Sequence, residues 1–192
     1  MTRIHRLMLG TMIVAVAACS DLGPVLSPEL TIRINSMNDS DITAGIIYKD
    51  SNISTQSGNP WGTFIGTAVA ECGVDPVGFE ITGLSLALDV AGSQNVSVFE
   101  DVISGSATVY FLSTQGNDAN AVRVALGSVL MPTGTGPVPL TITATAAQLQ
   151  SLHDRLVGGD FHVGLEAETN RVQGDGFSMD ALVTVQTQAI CS

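Results

Sequence analysis

Positive charge is scarce in this sequence. Seven Lys and Arg stand against 18 Asp and Glu in 192 residues, a formal net charge of −11. No basic cluster offsets that balance, so phosphate backbones are repelled, and nucleic acid is not an expected partner. Attraction to anionic headgroups lacks support for the same reason. Aromatic residues are only 5% of the chain, with one Trp, Trp61. That is too few for a stacked carbohydrate platform, and a lone Trp at a loop-to-strand junction reads first as a core or edge anchor. HExxH, CxxC, G-x-S-x-G and S-x-x-K motifs are all missing, so no local spacing points to a metal centre, a redox pair or an activated serine. No cofactor and no metal ligand set is expected, and no catalytic residue is assigned. There is no internal repeat and no low-complexity run.

Against these absences, the first line of the sequence is informative. A short basic start with Arg3 and Arg6 precedes an uncharged stretch over residues 7–18, too short for the ~20 residues a spanning helix needs. It reads as a secretory signal. The stretch ends in Val16-Ala17-Ala18-Cys19, which resembles the bacterial lipobox: an aliphatic residue, two small ones and a cysteine. The resemblance covers only this segment. It implies cleavage after Ala18, acyl chains such as palmitate on Cys19, and a membrane anchor. An ordinary signal peptide that leaves Cys19 as a free thiol is the competing reading. Ser20 in place of Asp after that cysteine implies onward sorting to the outer membrane, facing the periplasm or the cell surface.

Removing residues 1–18 deletes two cations and no acids, leaving five against 18, or −13. Membrane attachment therefore rests on the lipid, where each buried CH₂ contributes ~0.8 kcal/mol and two or more chains anchor stably. Three segments are expected: a cleaved lipoprotein signal peptide over residues 1–18, a Pro-containing lipidated tether over 19–29, and one β-domain over 30–192. A domain of about 174 residues including the tether is large enough to bury a sizeable core.

With Cys19 assigned to lipid, Cys72 and Cys191 form an even pair in an oxidising compartment, and a disulfide is the default. Two buried free thiols are the alternative.

Alternation with a period of two recurs, as in Leu30/Ile32/Ile34, Leu84/Leu86/Leu88/Val90, Val122/Val124/Leu126 and Phe161/Val163/Leu165/Ala167. Further strands are expected over 42–48, 63–70, 106–112, 139–144 and 177–190, separated by turn-rich stretches such as "TQGNDAN" and "MPTGTGPVP". The fold class is mainly β: an antiparallel β-sandwich, immunoglobulin-like in the broad sense, with one short helix; a closed β-barrel is the alternative. The helix is expected over 145–159, with Leu149, Leu152 and Leu156 on one face. Thr145 and Gln148 form its capping box, and Gly158 takes the left-handed stop.

The remaining candidates are weak individually. His153 flanks the helix stripe near Asp154, and His162 sits on a strand face; neither has ligand spacing around it. Glu100-Asp101 and Glu166/Glu168 are carboxylate pairs of the kind an acidic surface yields by chance. "NDSD" at 38–41 and "NRVQGDG" at 170–176 gather oxygens without the order of a calcium loop, and Asx turns explain them equally. The functional expectation is an exported, membrane-anchored lipoprotein of the cell envelope. It would have a non-enzymatic binding or structural role and an envelope protein as partner. A hydrolase whose site forms only in three dimensions, or a small apolar ligand inside the β-domain, are the alternatives.

Overall fold

The structure, a computed structural model, describes residues 23–192; Cys19 and the expected signal segment lie outside the described residues. The chain opens with β1 (Val25–Leu26) and β2 (Leu30–Asn38), then β3 (Ile42–Thr43) and β4 (Ile46–Asn52). A helix α1 (Pro60–Cys72) leads to β5 (Gly78–Leu88), β6 (Ser106–Leu112), β7 (Arg123–Leu130), β8 (Val138–Pro139) and β9 (Thr141–Ile142). Two helical pieces, α2 (Ala146–Leu149) and α3 (His153–Gly158), precede β10 (His162–Glu168) and β11 (Ser178–Ile190).

These strands build two antiparallel sheets packed as a β-sandwich. In the five-stranded sheet β11 is central: β1 and β2 share one of its edges, while β5 and then β8 extend the other. The six-stranded sheet runs β3-β4-β10-β6-β7-β9. The sheets are separate, so the barrel alternative does not hold. The chain changes sheet at buried Leu140, between β8 on one side and β9 on the other. Val25 and Leu26, within the segment read from sequence as tether, form β1 of the sheet. Val25 is buried and pairs with Ala189, and the Ser27 amide donates to the Thr187 carbonyl.

The inward sets follow the period-two reading. Leu30, Ile32 and Ile34 pair with Val185, Val183 and Ala181 within their own sheet and share one buried core with Val163 and Leu165 of the other. One expectation was of the wrong period. Residues 63–70 are helix, not strand: Asn59 caps the N-terminus through Gly62 N–H, Pro60 holds the first helical position, and Gly73 closes the helix in the left-handed region. Trp61, Phe64, Ile65, Ala68 and Cys72 form its buried stripe.

The one expected helix forms with the Thr145/Gln148 capping box, but a 3₁₀ turn over Gln150–Leu152 breaks it, and Gly159 rather than Gly158 is the left-handed stop. Both helical segments close the end of the sandwich where β5 begins and β11 finishes. There Trp61 stacks edge-on against Phe161 (4.8 Å between centroids), Phe64 and Phe111, and its Nε1–H donates to the Leu156 carbonyl at 2.7 Å. That packing assigns Trp61 to the core rather than to a ligand.

Cys72 at the end of α1 and Cys191 just past β11 have their sulfurs 1.97 Å apart, at disulfide distance, with Cα atoms 5.3 Å apart. The C-terminus is thus tied to the helix end, and Cys191 Sγ lies 4.0 Å from the Gly23 carbonyl. Both ends of the described chain leave from the same place.

Candidate functional site

The outward face of the six-stranded sheet gathers residues that sequence spacing scatters. Tyr48, Asp50 and Asn52 alternate along β4, and the register sets them beside Glu166, Gly164 and His162 of β10. Tyr110 of β6 is opposite Gly164, and Arg123 begins β7. Both tyrosines of the chain, one histidine and one arginine therefore share one patch.

His162 is the centre of its lower half. Its Nδ1–H donates to Asp50 Oδ1 at 2.6 Å, and the Asn52 amide, 3.3 Å away, donates to Nε2. Asn52 is not free to turn, because its Oδ1 already accepts from Ser54 N–H and Ser54 Oγ. This set of partners places a proton on Nδ1, toward Asp50, and leaves Nε2 to the Asn52 amide. Asp50 Oδ2 accepts two more bonds, from Tyr48 Oη and from the Gly116 amide, both 2.9 Å. A Cβ at Gly116 would collide with the Tyr48 hydroxyl, so a side chain there would displace the Tyr48–Asp50 bond. Gly164 is similarly crowded, with the same hydroxyl 3.0 Å from where a Cβ would be. Asp50 thus ties the loop 113–122 onto the sheet.

The upper half is an ion pair roofed by aromatic rings. Arg123 donates to Glu166 Oε2 at 3.0 Å, with its guanidinium 4.3 Å from the Tyr110 ring centre and 5.0 Å from that of Tyr48. Tyr110 Oη donates to Glu166 Oε1 at 3.2 Å. Burial, then the neighbouring carboxylates, push both phenols above the ordinary tyrosine range, so they stay protonated donors. Beside the patch, Tyr48, Lys49, Asp50, Asp41, Gln115 and Asn117 line a surface cleft of about 260 Å³.

A His–Asp pair invites a test against nucleophilic catalysis. The nitrogen that would take a serine proton, Nε2, is occupied by an amide, and no hydroxyl bonds to it. His153 fares no better. Its Nε2–H donates to the Pro76 carbonyl at 2.8 Å, and that bond, with Asp154 beside Nδ1, raises its pKa and favours the imidazolium, a poor base. Ser113 and Ser151 line the same cleft as His153, yet Ser113 Oγ accepts the Val122 amide and Ser151 donates to the Gln148 carbonyl. Neither histidine meets a serine.

The carboxylate pairs and the two oxygen-rich loops have separate, satisfied roles. Glu100 accepts from the Gly134 amide, while Asp101 accepts from Ser97 and Val98 N–H, bonds that lower its pKa. Glu168 accepts from Ser106. The segments 38–41 and 170–176 do come together, since Asp39 Oδ2 accepts from the Gly174 and Gly176 amides. Asp41 pairs with Lys49 and Asp175 caps Val172. Among the described residues no group of three or more His, Cys, Asp or Glu is arranged to hold a metal ion.

The sequence reading singled out His162 and Glu166 but missed Asp50, Tyr48, Tyr110 and Arg123. The signal was present in the parity of β4, whose outward positions 48, 50 and 52 are all polar. No protein-family model matches the chain, and no curated protein matches it in sequence.

Proposed function

We propose that this protein is an exported lipoprotein of the cell envelope, anchored through Cys19, whose β-sandwich binds another envelope component or serves in assembly rather than in catalysis. The observation that carries this reading is Val16-Ala17-Ala18-Cys19, six residues ahead of the first paired strand residue, Val25. That spacing leaves a tether shorter than sequence alone suggested. Two further features support it. Cys72 and Cys191 stand at disulfide distance, as suits an oxidising compartment. Each of the five cations in the described chain is matched to a carboxylate: Arg33 with Asp89 and Asp180, Lys49 with Asp41, Arg123 with Glu166, Arg155 with Asp160 and Arg171 with Asp175. No cation is left over for a polyanion.

The Tyr48/Tyr110/Arg123 face and its adjoining cleft form the best-built polar surface for a partner, with phenols, amides and a carboxylate presented from rigid strands. Satisfied histidines support a binding role over the hydrolase alternative. The clefts lined by Asp41/Asn117 or His153/Asp154 are polar surface features, unlike the interior cavity an apolar ligand would need.

The test is mass spectrometry of the Cys19 peptide combined with membrane fractionation of the full chain and of Cys19→Ser. Acyl mass on Cys19 and release of the variant into the soluble fraction are expected. An unmodified Cys19, or membrane retention of the variant, overturns the reading.

A further inference from the structure

The end of the sandwich nearest the anchor carries an apolar rim. Gly73 to Val77 connects α1 to β5, and within it Val74 and Val77 are 52% and 46% exposed. Leu26 of β1 is 59% exposed on the same end, opposite Gln188 of β11. The connection is held rigidly: Cys72 is tied to Cys191 in front of it, the Val77 amide donates to the Ile190 carbonyl, and His153 donates to the Pro76 carbonyl. Both valines thus present apolar surface to solvent from a clamped connection.

We infer that this rim, Leu26, Val74 and Val77, is the face the domain rests on a lipid bilayer. The inference depends on the Cys19 anchor proposed above. From Cys19 to Gly23 the chain has four residues to span, at most about 14 Å when fully extended. Gly23 itself lies against Cys191, and Cys191 against Cys72, two residues before Val74. An anchored chain therefore cannot lift this end far from the headgroups. The opposite end, with Leu130 at 75% exposure as the last residue of β7, points away.

Charge selects the kind of bilayer. Glu71, Asp75 and Glu80 are exposed around the rim, and His153, the basic side chain held on the Pro76 carbonyl, is faced by Asp154 and Asp75, so the rim keeps a net negative charge: contact is by apolar side chains with zwitterionic lipid and is weakened by anionic lipid.

The experiment uses the full, acylated chain reconstituted into phosphatidylcholine vesicles with and without acyl-brominated lipid. Three single variants, Val74→Trp, Val77→Trp and Leu130→Trp, add one fluorophore to buried Trp61, the same background in each. Quenching and a blue shift at positions 74 and 77, absent at 130 and reduced with anionic lipid, are expected. Adding Leu26→Asp to Val77→Trp should cut the quenching while the chain stays vesicle-bound. Equal quenching at 130 and at 74/77, or none at 74/77 in a vesicle-bound acylated chain, overturns the resting face and leaves the anchor standing. A chain whose Cys19 is unmodified and which fails to float with vesicles overturns both. Unchanged thermal midpoints in solution confirm that the variants fold.

Discussion

Removing the Asp50 carboxylate should unfasten the loop 113–122 from the six-stranded sheet. Asp50→Ala deprives three donors of their acceptor: His162 Nδ1–H, Tyr48 Oη–H and the Gly116 amide. Bonds to a charged acceptor contribute about 1.5–3 kcal/mol each. Here the two ionisable side chains keep 11% and 14% exposure, so water replaces part of what is lost. A discounted figure of about 1 kcal/mol per bond gives about 3 kcal/mol in all, or roughly 6–12 °C in the melting midpoint of a domain this size. Thermal unfolding followed by circular dichroism measures the global part. Amide hydrogen exchange measures the local one, since Gly116 should exchange about tenfold faster for each 1.4 kcal/mol of anchoring lost. Asp50→Asn, with one carbonyl oxygen and an NH₂ that must face a donor, should fall between wild type and Ala. A midpoint within about 2 °C of wild type, the shift that roughly 1 kcal/mol or less would give, together with unchanged Gly116 protection would refute the reasoning.

Reduction of the Cys72–Cys191 pair should lower stability by up to about 5 kcal/mol, the chain-entropy figure for a closed loop with a sequence separation of 119, and denaturant titration with and without reductant reads it. His153 gives the opposite pH trend from a carboxylate. Its folded-state pKa is raised, first by the Pro76 carbonyl, so its contribution is complete below the ordinary value of 6.5 and fades as pH climbs through the higher folded value. Denaturation midpoints compared across that window should decline in wild type and flatten in His153→Gln. Gln56 guards an open edge: its side chain accepts from the Arg33 amide at 3.0 Å and donates to the Arg33 carbonyl at 3.4 Å, capping the free side of β2. Gln56→Ala should shift the chain toward self-association in sedimentation velocity, and a strictly monomeric variant would count against an edge-guarding role.

How much of this was legible in the sequence depended on which interaction decides each element. Strand faces were readable because burial alone sets their parity, and Leu30, Ile32 and Ile34 need only know which side is dry. The helix α1 was misread because Thr63, Ile65, Thr67 and Val69 look strand-like by composition. Its true signal was the cap: Asn59-Pro60 before Trp61, Phe64, Ile65, Ala68 and Cys72 at helical spacing, then Gly73. The tether was misjudged because two residues, Val25 and Leu26, are too few to show a period. Nothing local to His162 points to Asp50, 112 positions earlier; only the β4–β10 register joins them, and register is a property of the pair.

The same pairing explains why so acidic a surface tolerates its neighbours. If the five cations are spent on carboxylates within the domain, the remaining acids face solvent uncompensated. Two copies then repel one another, and an anionic bilayer repels both, over about 8–10 Å at physiological salt. A four-residue link from Cys19 to Gly23 is about as long as that screening distance. If Cys19 carries the proposed lipid, the link holds the domain where repulsion is still felt, and the rim of Leu26, Val74 and Val77 offers an apolar contact there. On the proposed binding reading, a partner would be recognised through hydrogen bonds and aromatic surface, which the Tyr48/Tyr110 face carries on the side of the sandwich.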